Sequence, residues 1–564
     1  MRDWLRETHG PGTELLRHFL LRFFDSDLVT APGQTTTALI GAFSIFLPWF
    51  PLIVGPLRHK YVYFSSLAIP DPYRQAVRAD ELWLITLMMS AIGLLTAVKW
   101  QSLFPGLRDY YALGSLPLRA REIFAAKLLA LLLVATAAVV TLNSLPALMF
   151  PAVSSGRWAF HTELGPRAAA HITAAVAACY FFCFGLVALQ GVLLNLLRPR
   201  RFARVTGMLQ GLLAGTMLVL LVLSFSITPQ AANALVRPEL ARWLPPVWFL
   251  GLYQTMSGDP DPAMHALAQR AWWALAIAVA LALATYAASY RRHRQLLMEG
   301  AASTGKERRW HAAVFEWLVP DPRQQAVIAF LGKTLAGSAQ HRMILMGYGG
   351  FGLALFLSGS IGMRELVDPA RLIAAKFVYA HVILLVFLLL GVRHLFSIPV
   401  ELKANWAFRI TEGEGRREWL RAIDRFVLFW GATVTFGVGL PLEIKLLGWR
   451  AGAEVLLSAA FALLCYEWAF SSWEKLPFTC SHLPGKTPMW IRALQLFALL
   501  GFLPIVNALL LACLFQPAAF AAALITLSLA SMRMRTSRRD TWSELRLRYE
   551  EEPDPAVHTL NLLK

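Results

Sequence analysis

"AAKLLALLLVATAAVVTLNSLPALM", residues 125–149, decides the class of this protein. A helix of about 20 apolar residues crosses the hydrocarbon core of a bilayer, and this run is long enough to do so. Its single charged residue, Lys127, lies near one end, where a long stem carries an ammonium to the headgroups. Leu and Ala crowd the run without the alternation of a barrel strand, so a helix is expected.

The same reading repeats along the chain. Spans are expected near 38–57, 81–99, 125–149, 168–197, 206–228, 271–290, 343–361, 373–392, 426–442, 452–471, 491–513 and 516–532, or about twelve in all. The whole chain of 564 residues agrees: 57% of residues are apolar, only 16% are charged, and mean hydropathy is +0.51. The expected fold is an all-α polytopic membrane protein. The first apolar run starts near residue 38, is full length and lacks a small-residue cleavage site, so no cleavable signal is expected.

A net charge of +18 raises the question of nucleic acid. Its placement answers it. Arg198, Arg200, Arg201 and Arg204 form one cluster, Arg291, Arg292 and Arg294 another, and Arg533, Arg535, Arg538 and Arg539 a third, all in loops of one side. That is the positive-inside bias, which places both termini in the cytoplasm of a multi-pass protein of the cell (inner) membrane. Such clusters also attract anionic lipid headgroups, so membrane lipids are expected partners. No compact basic domain lies outside the spans, so no nucleic acid is expected. The five cysteines, Cys179, Cys183, Cys465, Cys480 and Cys513, make neither a disulfide framework nor a CxxC pair. Cys179 and Cys183 lie four apart on one helix face but no His or acid joins them, so they read as packing residues and no metal is expected.

Two halves emerge. "ELLRHFLLRFFDSDL" (14–28) puts Leu15, Leu16, Phe19, Leu20, Phe23 and Phe24 on one face, as an interfacial helix would. "QQAVIAFLGKTLAG" (324–337) has similar spacing. Each is followed by a span, a short outside loop, a second span and then a long cytoplasmic loop. In the first half that loop is "DYYALGSLPLRAREIFAAK" (109–127), and in the second "ELKANWAFRITEGEGRREWLRAIDRF" (401–426). Tyr111-Ala112-Leu113 matches Trp406-Ala407-Phe408, and Arg121-Glu122-Ile123 matches Arg417-Glu418-Trp419 with one residue inserted. Two parallel six-helix repeats are expected, with a pathway between them. The expected boundaries are 1–295 for the first repeat, 296–312 for a linker, 313–535 for the second repeat and 536–564 for a polar tail.

Catalytic constellations are missing from the sequence. "GAASTGKE" (300–307) approaches the phosphate-binding GxxxxGK[ST] pattern but ends on Glu307 where a hydroxyl is needed, and no apolar strand precedes it. No HExxH, GxSxG or EF-hand pattern occurs. Ionisable groups in the spans are sparse: His171, Lys376, His381, Glu454 and Glu467. Glu467 and Trp248 are candidate gating residues, Glu467 for its place near the cytoplasmic end of a span. Trp248 qualifies because "WLPPVWFLGLYQ" (243–254) reads as a re-entrant or interfacial element capping the outer mouth.

The loop at 109–127 carries Asp109, Leu113, Ser115, Leu116, Pro117, Arg119, Arg121, Glu122 and Lys127 in that order, with Leu118 and Ala120 filling between. It resembles the segment joining the second and third spans in permease subunits of type-two ABC exporters. The second loop keeps the position but has no Pro, and "TEGEG" stands where the first has "SLPL". The resemblance implies a separate soluble ATPase, in two copies, that binds ATP and magnesium; this chain has no ATPase site or cofactor of its own. It implies docking through Asp109, Tyr110, Tyr111, Leu113, Arg119, Arg121 and Glu122, and through Trp406, Phe408, Arg416, Arg417 and Glu418. Aromatic and apolar side chains would form the knob of each dock and charged ones its rim. The rival readings are an ion-coupled secondary transporter and a membrane-embedded enzyme acting on lipids or glycans.

Overall fold

The computed structural model describes residues 11–24, 57–104, 109, 113, 119–300 except 162, 319–362, 369–400, 402, 405–412, 416–480 except 438 and 472, 489–542, 547 and 549–550. Among these the chain is helical, with no β-sheet, and it divides into two compact units, Met1–Gly305 and Lys306–Lys564. Among the described residues nine helices are long and apolar enough to cross a membrane, or ten if a bent pair counts as one span. The chain is an all-α, multi-pass membrane protein. The span expected at 38–57 lies outside the described residues.

The first unit opens with α1 (Pro11–Phe24), followed by α2 (Asp71–Val98), α3 (Ala120–Val153), α4 (Leu164–Leu196) and α5 (Pro199–Ser224). Three short helices come next, α6 (Pro229–Leu235), α7 (Pro238–Ala241) and α8 (Pro245–Met256), and then the long α9 (Pro262–Gly300). Helix starts follow from local chemistry. Proline opens α5, α6, α7 and α8, where its missing N–H is not needed. Thr228 Oγ1 accepts from the Ala231 N–H at 3.2 Å to cap α6. At the start of α3 the Glu122 carboxylate accepts from the Arg119 N–H at 3.1 Å.

Helix α2 is the hub of this unit. It packs against α3, α4, α5, α6 and α8, and two thirds of its most apolar stretch is buried. A helix that is apolar on every side belongs inside a bundle. The segment expected to form a re-entrant or interfacial cap is α8, a short helix that packs against α9, α4 and α2. Val247, Phe249, Leu250, Leu252 and Tyr253 are all buried there. Gly251 makes this possible: a Cβ at that position would stand 2.4 Å from Leu267 Cβ and 3.0 Å from the Met264 carbonyl.

The second unit runs α10 (Pro322–Gly337), α11 (Ala339–Gly362), α12 (Pro369–Leu395), α13 (Asn405–Thr411) and α14 (Arg416–Ala432). A π-helical turn, Thr433–Gly437, leads to α15 (Leu440–Leu447), and then come α16 (Arg450–Ala469), α17 (Met489–Leu514) and α18 (Pro517–Thr541). The span expected at 426–442 is thus a broken one, bent by 43° between α14 and α15. Gly437 and Gly439 flank the break, and a π turn shifts the register of the helix that enters it. Helix α12 is the hub here, touching α11, α14, α15, α16 and α17. The hub of each unit is therefore the helix that the sequence reading expects as the second span of its half.

Candidate functional site

The loop that carries the exporter-like motif is tied to the N-terminal helix. Leu15 and Phe19 of α1 form one buried cluster with Leu113, Ile123, Ala126 and Ala130. Lys127 of α3 sits over the Phe19 ring, 4.9 Å from its centroid. Asp109 is buried, with His18 of α1 at 3.8 Å. Leu113 and Asp109, expected in an exposed dock, are therefore roofed by α1. The amphipathic face that reads as lipid-facing in sequence is partly used to hold this loop. Arg119, Arg121 and Glu122 remain exposed at the entry to α3. Tyr110 and Tyr111 lie outside the described residues.

The second unit has the same arrangement built from different residues. Helix α10 packs on α14. Phe408 is wedged between them, its ring 5.1 Å from Phe330 and 6.2 Å from Trp419, instead of projecting as a knob. Gln324 of α10 donates a hydrogen bond to Glu418, which also pairs with Arg421. Arg416 Nε donates to Glu412 Oε1 at 2.8 Å. Trp406, 66% exposed, and Arg417 are left facing outward.

Glu467 is part of a buried ion network. Arg538 of α18 donates from Nε to Glu467 Oε2 at 2.8 Å, and from both terminal nitrogens to Asp424 of α14 at 2.9 and 3.0 Å. Tyr466 donates to the same Asp424. Arg535 stands 3.5 Å from Glu467 Oε1. One guanidinium thus ties three helices at the end of the bundle next to the second loop. Bidentate geometry makes such a contact directional as well as strong.

Two further polar clusters lie within the helix bundles. In the first unit Glu81 of α2 is fully buried, and both its oxygens stand 2.9 Å from Nδ1 of His171 on α4. Its neighbour Asp80 turns to another face, where Lys60 Nζ donates to it at 2.8 Å and Tyr61 Oη at 2.5 Å. Burial, with the Asp80 carboxylate beside it, pushes the Tyr61 hydroxyl well above the ordinary tyrosine range. In the second unit His381 of α12 meets Glu454 of α16, Nδ1 to Oε1 at 3.0 Å, with Glu443 of α15 on its other side. Both units therefore pair an imidazole with a carboxylate between their hub helix and a helix packed on it, α4 or α16, with the two residue types exchanged.

Trp248 is partly buried and packs against the core of the first unit. Its indole N–H donates to the Ala241 carbonyl at 2.9 Å, and its ring meets Phe181 at 6.2 Å. A small cavity beside α8 is lined by Tyr73, Arg74, Phe160, His161, Arg167 and Gln254 among others.

Sequence reading missed Glu443. It lies just past the expected span 426–442, yet a signal was present: "GVGLPLE" (437–443) puts Gly, Gly and Pro inside an apolar run directly before an acid. That is how a discontinuous helix is written. Glu81 and Asp80 were passed over because they fall at the edge of a hydropathy window. Comparison with protein-family models, with curated proteins and with solved structures finds no match.

Proposed function

We propose that this chain is the membrane-spanning part of an ATP-driven exporter, with two six-span repeats in one polypeptide and a separate soluble ATPase docking on its cytoplasmic side. One observation supports this above the others. In each unit the segment between the second and third spans is fastened to the amphipathic helix that precedes the first span: Leu113 and Ile123 to Phe19, Phe408 and Glu418 to α10. A loop held by its own helix is a stiff lever, as force transmission from a partner to a span requires. Differential contact with the partner then shifts the conformational equilibrium of the bundle. The Arg538 network carries the motion onward, because it joins α14 to α16 and α18.

On this reading the contact residues are those still exposed, Arg119, Arg121 and Glu122 in the first loop and Trp406 and Arg417 in the second. Leu113 and Phe408 position the loops. Charge bias puts these loops and both termini in the cytoplasm. The test is the triple variant Arg121→Glu, Trp406→Ala, Arg417→Glu, inserted at normal levels. Loss of ATPase co-purification, or ATP hydrolysis uncoupled from transport, is expected. Unchanged co-purification and transport would remove the basis for the exporter reading.

A second reading, ion-coupled secondary transport, is favoured by the imidazole–carboxylate pairs inside the bundles. Transport that survives ATP depletion but stops when ion gradients are collapsed would select it over the first.

A further inference from the structure

We propose that His381, Glu443 and Glu454 form a buried binding site for one divalent first-row transition-metal ion, such as Zn²⁺ or Mn²⁺. The inference stands apart from the exporter reading, since it concerns these three side chains alone.

The first argument is convergence. One ligand atom from each residue can be chosen so that all three lie within 4.8 Å of one another. His381 is 3% exposed and both carboxylates are fully buried. They come from three different helices, α12, α15 and α16, each of which packs on the other two.

The second argument is what these atoms lack. Among the described residues no N–H or hydroxyl group donates to either oxygen of Glu443 or to Oε2 of Glu454, and the polar group beside Glu443 is the other carboxyl, that of Glu454, with which it can share a proton when no ion is bound. Glu443 Oε2 nevertheless points toward the imidazole, 3.9 Å from His381 Nε2. Among the described residues no Lys or Arg forms an ion pair with either carboxylate. With both carboxylates ionised, two of them facing one imidazole leave a deficit of positive charge even when the ring is protonated. Burying a carboxylate without a donor or a cation is among the costliest arrangements a protein can adopt. A divalent ion cancels both charges and fills the open lone pairs together.

The third argument is donor chemistry and geometry. An imidazole with two carboxylates is the mixed N and O set that zinc and manganese accept, and three protein ligands leave room for water or substrate. Bonds of roughly 2.0–2.2 Å place the ligand atoms of one ion roughly 3.0–3.5 Å apart. His381 Nδ1 and Glu454 Oε1 already stand 3.0 Å apart. Glu443 Oε2 lies nearest the other ring nitrogen, Nε2, so it has to draw in to join the same ion, within a set of ligand atoms no more than 4.8 Å apart, and it sits on the short helix just past the break. Ser458 Oγ donates to Glu454 Oε1 at 2.7 Å and steadies that carboxylate. Phe436, with its ring 4.8 Å from that of His381, helps to exclude water.

The test uses the full chain in detergent, stripped with a chelator and dialysed against micromolar ZnCl₂ or MnCl₂. Metal retained per chain is then read by mass spectrometry. Wild type is expected to retain one ion. The near-isosteric Glu443→Gln should weaken binding by at least about tenfold, while Glu81→Gln, in the other unit, should leave it unchanged. X-ray absorption on zinc-loaded wild type supplies a readout that needs no variant, and only N and O donors are expected. No retained ion, equal retention by Glu443→Gln, or a sulfur shell from the cysteines would each overturn the assignment. The first of those results would make the cluster a proton-binding site.

Discussion

Arg538 shows how strongly a single residue can be held in this protein. It is buried and satisfies two carboxylates, Asp424 and Glu467, on two other helices. Arg538→Ala leaves Asp424 with only the Tyr466 hydroxyl and Glu467 with only the more distant Arg535, both acids still buried, so a loss of about 3 kcal/mol is expected. Replacing all three together, Arg538→Met with Asp424→Leu and Glu467→Met, removes the stranded charges and should restore most of that loss. Chemical unfolding in detergent, followed by tryptophan fluorescence, separates the two outcomes. Tyr61 gives a pH signature with a definite sign. Its hydroxyl titrates higher in the folded chain than in the unfolded one, chiefly because it is buried and then because Asp80 is beside it. Above about pH 10 the unfolded chain releases this proton first, so stability is full below that pH and falls as pH rises through the folded value. Tyr61→Phe should make alkaline unfolding less steep, measured as melting temperature against pH between 9 and 12.

At the scale of elements, short helices decide the architecture as much as the spans do. Phe19 of α1 is completely buried against Leu113, Ile123 and Ala126. Phe19→Ala opens a cavity under α1 and should cost about 3–5 kcal/mol locally. Hydrogen exchange is expected to rise in α1 and at the start of α3 while α4 and α9 stay protected. If exchange rises evenly across the chain, α1 is not the strap that holds this loop. The contact of α8 with α9 depends on Gly251, whose missing side chain admits Leu267. Gly251→Ala should lose about 1–3 kcal/mol by overpacking. Gly185→Ala, on α4 with nothing within 4 Å of the added carbon, should be neutral or gain up to about 1 kcal/mol. Melting temperatures of the two variants measured side by side check this.

For the molecule as a whole, two units with matching layouts in one chain carry a stoichiometric consequence. Each unit has a hub helix, a loop fastened to an amphipathic helix, and a buried imidazole–carboxylate pair. If the two together enclose one pathway, a single chain suffices per complex. Light scattering of detergent-purified protein is expected to give one chain, and an obligate dimer of this chain would contradict the fused-repeat proposal.

Much of this was legible in the sequence, because hydropathy is a local property. A run such as residues 125–149 must become a helix in lipid, where no backbone polar group can be left unpaired. The amphipathic spacing of Leu15, Phe19 and Phe23 likewise fixes a helix with one apolar face. The same spacing cannot say whether that face meets lipid or a loop, and Leu113 disappears beneath it only in three dimensions. The sequence marked His381, Glu454 and Glu467 as ionisable groups in spans, but not their partners. Glu443 and Glu454 reach His381 across separations of 62 and 73 residues, and Arg538 reaches Asp424 across 114. Those meetings depend on which helices pack together and how each is rotated about its axis. Side-chain volumes at many distant positions settle both, so the tertiary structure alone decided which buried charges meet.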